Sequence, residues 1–257
     1  MQGQAVIVTG AAQGCGETIA EYLAARGARL MLCDVNDEGG EKVAKGIADS
    51  GGTVTYMHAD VSVEDDVAAL VDATVSAYGR LDGAVNNAGV EVISYLVDGT
   101  LEDFRSVLAT NLEGVFLCVK HQALAMKDNA PQDGIQGGSI VNMSSVTSDL
   151  GGAMQSTYYA ASKGGVDALT KTAAIELAAD GISVNAVAFI GADVPNGMFQ
   201  RYFAHSDVPV ETITARIPAG RMLKSDELGA GVAYLLSPDA RFHTGQVFTL
   251  DGGFTSM

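Results

Sequence analysis

In the stretch YYAASKGG, Tyr158 to Gly165, two tyrosines stand side by side and a lysine follows them. A phenol can exchange a proton with an alcohol or carbonyl oxygen, and does so best when its acidity is brought toward the working pH. Residues four apart on a helix share a face, one turn away. Lys163 stands four after Tyr159, whereas Ser162 stands four after Tyr158. Tyr159 is therefore the candidate acid–base, and Tyr158 reads as packing or pocket wall. At about 4 Å and an effective dielectric of about 20, an ammonium attracts a phenolate by on the order of 4 kcal/mol. That predicts a phenol lowered by about three pH units from its ordinary value near ~10.

A second constellation lies at the start of the chain. Thr9 to Gly16 reads TGAAQGCG, with glycines at 10, 14 and 16. Glycine permits a tight turn with positive φ, leaves no Cβ in the way of a pyrophosphate, and opens backbone N–H groups at a helix start. An ordinary turn would use the same residues, but an apolar strand before it and an amphipathic segment after it favour a phosphate cradle. Asp34 follows Gly16 by 18 residues, where a carboxylate meets the adenosine ribose hydroxyls of a dinucleotide. Such a carboxylate accepts from a 2′-hydroxyl and repels a 2′-phosphate. With no Arg or Lys in the turn or at Val35 and Asn36, the expected cofactor is NAD, with NADP disfavoured by Asp34.

These residues need elements to hold them. Short runs rich in Val, Ile and Leu recur at 5–8, 29–34, 53–60, 81–87, 139–145, 182–189 and 245–251. Amphipathic stretches of helical period separate them, among them 16–27, 65–79 and 167–181. Strands apolar on both faces suit a parallel sheet covered by helices on each side. The alternation predicts an α/β, doubly wound, three-layer αβα (Rossmann) fold, with residues 1–257 forming one dinucleotide-binding catalytic domain. A glycine- and proline-bearing excursion at about 190–220 is expected to reach outside the sheet as a substrate loop.

Composition narrows the partners. A formal charge of −16 over 257 residues argues against nucleic acid or anionic lipid. No run approaches the roughly 20 apolar residues of a membrane span, and no signal-peptide pattern opens the chain. Cys15, Cys33 and Cys118 form no CxxC and cannot all pair, which suits a reducing, cytoplasmic setting. His58, His121, His205 and His243 form no metal-like or triad-like cluster, so no metal is expected.

Taken in order, the motifs resemble the short-chain dehydrogenase/reductase family over nearly the whole chain. TGAAQGCG is similar to its TGxxxGxG turn, HADV (58–61) to its adenine-binding motif, and NNAG (86–89) follows the fourth strand as in that family. Asn111, Ser145, Tyr159 and Lys163 match its catalytic set. The resemblance implies a mostly seven-stranded parallel sheet ordered 3-2-1-4-5-6-7 and an NAD-dependent interconversion of a secondary alcohol and a ketone. It implies that Ser145 orients the reacting oxygen, with Ser144 its competitor, that Lys163 also reaches the nicotinamide ribose, and that Asn111 holds a water linking Lys163 to solvent. Cofactor contacts are expected from Gly10, Gln13, Gly14, Cys15, Gly16, Asp34, Asp60, Val61, Asn87, Gly89, Tyr159 and Lys163. A homo-oligomer is implied, most often a tetramer, through helices near 101–127 and 156–180 and the C-terminal strand region.

The sequence also departs from that pattern. Phe189 and Ile190 stand where the family has Pro-Gly, and Val194 replaces a Thr near the carboxamide. Gly191 is expected to take over the turn, and backbone groups of Ala192 to Val194 the carboxamide. Cys15 replaces a bulky aliphatic residue, leaving room beneath the nicotinamide or packing as a buried thiol. The substrate cleft draws on Met198, Phe199, Tyr202, Phe203, Met154, Gln155, Val92, Ile93 and Tyr95 if these are not core, and then admits a mostly apolar, ring-bearing alcohol or ketone. Arg201 and His205 are candidates for an anionic group. Two other readings remain open: a non-catalytic NAD-sensing or scaffold protein, and a dehydratase or epimerase using NAD transiently.

Overall fold

The computed structural model describes residues 1–131, 137–150, 156–204 and 209–256, with the side chains of Tyr202 and Ala204 left aside. Met154, Gln155 and His205 lie outside the described residues. Along the chain run β1 (Ala5–Thr9), α1 (Gly14–Ala24), β2 (Arg29–Asp34), α2 (Asp37–Asp49), β3 (Thr53–His58), α3 (Glu64–Tyr78) and β4 (Gly83–Asn86). Then come α4 (Leu101–Leu108), a π-helical turn (Ala109–Glu113), α5 (Gly114–Lys127), β5 (Ser139–Met143), the short α6 (Thr147–Leu150) and α7 (Thr157–Leu177). The chain continues with β6 (Ser183–Phe189), β7 (Ala192–Asp193), α8 (Met198–Ala204), α9 (Val210–Thr214), β8 (Leu223–Lys224), α10 (Ser225–Leu236) and β9 (Val247–Leu250).

Seven of the strands form one parallel sheet, ordered β3-β2-β1-β4-β5-β6-β9. β1, β4 and β5 are buried along their whole length, as strands covered on both faces must be. One apolar cluster packs α1 and α10 on one face through Ile19, Leu23, Leu228 and Val232. Another packs α3, α5 and α7 on the other through Leu70, Val115, Val119 and Val166. The result is the doubly wound three-layer architecture expected from the alternation.

Local chemistry sets the helix boundaries. The Asn36 side chain accepts a hydrogen bond from Gly39 N at 3.2 Å to cap α2, and Thr100 Oγ1 accepts from Asp103 N at 3.0 Å to cap α4. α3 opens on Glu64, Asp65 and Asp66, which favour the positive helix end, and stops at Gly79 with φ 80°.

Two elements differ from the periodicity. α7 begins at Thr157, well before the 167–181 stretch that shows the helical period. Gly164 and Gly165 interrupt that period, and at Gly165 the neighbouring turn packs close: a Cβ there would lie 2.7 Å from Leu112 Cδ2. The 190–220 excursion holds α8, α9 and β7, and β7 pairs in parallel with β8. It is therefore a small structured flap instead of an extended loop.

Candidate active site

β1, β2, β4 and β5 run parallel, so the site residues that follow them meet at one edge of the sheet, and α7 starts there with Tyr159 and Lys163 in its first turns. Between the C-terminal ends of the strands and the flap lies a cavity of about 1270 Å³. Ligands of open α/β sheets bind at that edge, where the strand order reverses. Of the residues predicted to bind cofactor, all but Gly16 line this cavity, Ala192 and Val194 included. Ser145, Tyr159 and Lys163 line it as well, whereas Asn111 stands behind its wall.

The glycine turn is shaped by its own packing. Gly10 and Gly14 have φ 64° and 62°. A Cβ on Gly10 would fall 2.7 Å from Ala88 Cα, and one on Gly16 2.0 Å from Gly10 O. Gly16 thus lets the turn close upon itself, which explains its place outside the cavity. Asn87 Nδ2 donates to the carbonyls of Thr9 and Gly10 at 3.0 and 2.9 Å, and Thr9 Oγ1 accepts from the N–H groups of Asn87 and Ala88. The NNAG segment is therefore riveted to the cradle. Asp34 accepts from Ala12 N and Asn36 N, each at 3.0 Å, which holds its carboxylate at the cavity wall. Asp60 accepts from the Ser62 N–H and hydroxyl beside Val61. The residues present fit a dinucleotide: a glycine turn at a helix start, a carboxylate at the end of the second strand, and one cavity lined by both and by Tyr159.

Tyr158 and Tyr159 separate as their spacing predicts. Tyr158 is buried and packs edge-on against Phe104 at 5.7 Å. Its hydroxyl fills the space where a Cβ on Gly99 would stand. Tyr158 anchors α4 and the preceding loop, while Tyr159 faces the cavity. The hydroxyl of Ser144 is buried and has no hydrogen-bond partner among the described residues. The Ser145 hydroxyl accepts from Thr147 N at 3.2 Å and lies 3.0 Å from Thr147 Oγ1. Of the two serines, Ser145 is the one whose hydroxyl is held in place.

The acidity of Tyr159 departs from expectation. Its phenol is pushed up, not down: loss of water comes first, followed by the negative charges of Glu91 and Cys15. Lys163 does not offset this. Its ammonium lies over the tyrosine ring, 5.4 Å from the centroid, and donates to the Met143 carbonyl at 2.6 Å. Burial draws Lys163 itself down to about 8, against the pull of Asp167 and Cys15. The expectation of a phenol lowered by lysine alone counted the Coulomb attraction and omitted the cost of burying the phenolate. Cys15 is pushed up to about 11 by burial, a packed thiol and no nucleophile.

Asn111 is held by its side chain. Its Oδ1 accepts from Val90 N at 2.8 Å, and its Nδ2 donates to Val90 O at 2.9 Å and Ser162 Oγ at 3.1 Å. Its side chain is thus a clamp between the loop after β4 and α7. The π-helical turn around it explains the placement, since one wider turn re-aims a side chain inward.

At the flap, Gly191 has φ 61° and lies against Phe199 and Met222, so it does carry the turn expected of it. The Ala192 carbonyl accepts from Gln200 Nε2 at 2.7 Å. Ile93, Met198, Phe199 and Arg201 line the cavity, while Val92 and Tyr95 do not. Sequence reasoning missed Glu91, which also lines it. A lone acid in a loop carries no periodic or motif signal.

Comparison with known proteins agrees with this geometry. The family model described as enoyl-(acyl carrier protein) reductase matches residues 10–255. The chain belongs to the short-chain dehydrogenase/reductase family, whose members use NAD(P), and it is an alcohol/ketone oxidoreductase. It is 39% identical to a 2,5-dichloro-2,5-cyclohexadiene-1,4-diol dehydrogenase of Sphingobium indicum, over 100% of this chain and 99% of that one. It is 38% identical to a cis-4-hydroxycyclohexanecarboxylate dehydrogenase of Sinomonas cyclohexanicum, over 98% and 96%. The crystal structure of a levodione reductase superposes with a TM-score of 0.91 at 33% identity, covering 100% of this chain and 99% of that one.

Proposed function

We propose that the chain is an NAD-dependent dehydrogenase that interconverts a mostly apolar, ring-bearing secondary alcohol and its ketone, with Tyr159 as general acid–base. The observation that carries this is the convergence of Ser145, Tyr159 and Lys163 on the same cavity that Asp34 lines. The six-membered rings in the names of two relatives support a cyclic substrate. Asp34 supports NAD over NADP, because its carboxylate stands where a 2′-phosphate would bring a second negative charge. No Arg or Lys at 35–36 would relieve that.

The bound dinucleotide supplies the hydride acceptor at its nicotinamide ring, and the positive charge of that ring in NAD⁺ favours the tyrosinate. The protein supplies placement and proton transfer. The Ser145 hydroxyl donates to the substrate oxygen and fixes its position. The Tyr159 phenolate oxygen takes the hydroxyl proton during oxidation and returns it during reduction. Lys163, carried one turn along α7, holds its ammonium over the Tyr159 ring and would reach the nicotinamide ribose when the dinucleotide is bound. Asn111 keeps the loop after β4 fixed to α7, so that the cleft wall and Tyr159 hold their separation.

Leu101, Phe116, Leu124 and Ile175, on α4, α5 and α7, are each more than half exposed, which supports a homo-oligomer, a tetramer by family likeness, closed through those helices. Three free thiols support a reducing cytoplasmic setting, and among the described residues no helix is long and apolar enough to cross a membrane. The test is a panel of cyclic and open-chain secondary alcohols followed by reduced-cofactor absorbance, with NAD and NADP in parallel. Reduced cofactor should form from cyclic alcohols with NAD in preference. Equal use of NADP, or no turnover on any alcohol or ketone, contradicts the reading.

A further inference from the structure

We infer that Glu91 is a substrate-recognition residue: its carboxylate accepts a hydrogen bond from a second hydroxyl on a ring whose first hydroxyl reacts at Tyr159. The substrate class is then a neutral ring diol or hydroxyketone. This rests on the dehydrogenase reading and narrows it.

The position of Glu91 is built. The residue before it, Val90, is held through both its backbone groups by Asn111, and Asn111 is tied to Ser162 on α7. The backbone leading to Glu91 is therefore fixed to the helix that carries Tyr159. The Glu91 side chain is half-buried, lines the cavity, and has no hydrogen-bond or ion-pair partner among the described residues. Burial raises its carboxyl, and its charge reaches the Tyr159 phenol.

A carboxylate in that state needs donors. In an open cleft water provides them, but a ring entering the cavity displaces water, and an unmatched carboxylate then costs binding. Val90, Ile93, Phe189, Ile190, Val194 and Phe199 give the cavity an apolar share of wall, and its serines, threonines and amides make no hydrogen bond to Glu91 among the described residues. Arg201 and Arg216 also line the cavity, but Arg201 donates to the Asn196 carbonyl and Arg216 lies 5.1 Å over the Phe254 ring. The donor must come with the substrate. A carboxylate is repelled by Glu91 itself, and an ammonium must shed a tightly held water shell to enter, so a neutral hydroxyl supplies the donor at the smallest desolvation cost.

The test compares kcat/KM with NAD for cyclohexane-1,4-diol, cyclohexanol, 4-aminocyclohexanol and 4-hydroxycyclohexanecarboxylate in the full chain and in the Glu91→Gln and Glu91→Leu variants. The diol should exceed cyclohexanol by about 10- to 100-fold, the worth of a hydrogen bond to a charged group. Glu91→Leu should erase that ratio, and Glu91→Gln, which keeps an acceptor oxygen, should keep part of it. A ratio unchanged across the three proteins overturns the inference, as does preference for the amine or the carboxylate. In parallel, calorimetry on the NADH-loaded Tyr159→Phe protein should give tighter binding of the diol than of cyclohexanol, and equal binding overturns the inference even where turnover is slow. A chain that oxidises cyclohexanol and the diol equally keeps its dehydrogenase reading and loses this one. A chain that oxidises neither loses the former, and the calorimetry still decides the latter.

Discussion

Burial governs the chemistry of single residues in the cleft. Tyr159 and Lys163 are pushed toward their neutral forms by the same loss of water. The sign for stability follows: between about 8 and 10.5 the unfolded chain binds a proton at residue 163 that the folded chain has released. This group's contribution to stability therefore rises with pH across that window. Denaturant titrations of the protein and of Lys163→Met at pH 7 and pH 10 should show the variant's relative advantage shrinking at the higher pH, whereas a constant difference contradicts the assignment. Activity carries a second signature. Glu91 and Cys15 raise the phenol, and Lys163 lies over its ring, so removing the Glu91 charge should ease ionisation of Tyr159. In Glu91→Gln the acidic limb of the pH–rate profile for oxidation should move to lower pH. A shift to higher pH would contradict the coupling. Spacing in the sequence identifies which tyrosine faces the lysine, but not how deeply either is buried, because burial depends on elements far away in the chain.

At the scale of elements, the cleft is held by joints between loops. Asn111→Ala leaves both backbone groups of Val90 without their partner, a loss of about 1–3 kcal/mol, or roughly 2–4 °C of melting temperature per kcal/mol at this size. Its kcat should fall with it, since the loop that carries Glu91 loosens; a variant with full activity and an unchanged melting temperature contradicts the clamp. Gly16→Ala sets a methyl against the Gly10 carbonyl, a backbone atom that cannot rotate away. Dinucleotide affinity should fall sharply there, read by NADH fluorescence, and intact affinity would show that the turn has room. Strands were the most legible elements. Arg29–Asp34 occupies the apolar run read for β2, since a run buried on both faces carries its own signal. α7 was legible only in its second half, because Gly164 and Gly165 interrupt the helix's own period. The flap's helices, α8 and α9, are too short for a period to show.

For the molecule as a whole, charge and shape divide the surface. A net charge of −16 keeps anionic partners away. Exposed Leu101, Phe116, Leu124 and Ile175 break the polar surface on one side. Phe116→Glu with Leu124→Glu should lower the mass measured by analytical ultracentrifugation. An unchanged mass would move the interface elsewhere. The fold class and the cofactor motifs were legible because the glycine turn, Asp34, NNAG and Ser145 sit at strand ends, and strand ends meet at one edge of a parallel sheet. The flap's seat over the cradle was not. It depends on Gly197 approaching Gly14, where a Cβ would lie 3.2 Å from Gly197 Cα, and no local pattern marks a contact so distant in sequence.

The most direct measurement is turnover of a cyclic secondary alcohol by Tyr159→Phe, followed by NADH absorbance, with NADH affinity taken on the same preparation by fluorescence. Loss of kcat by about 10²- to 10⁴-fold, the usual weight of a positioned acid–base, with affinity retained, is the result predicted. Turnover equal to that of the unaltered protein would remove Tyr159 from the chemistry.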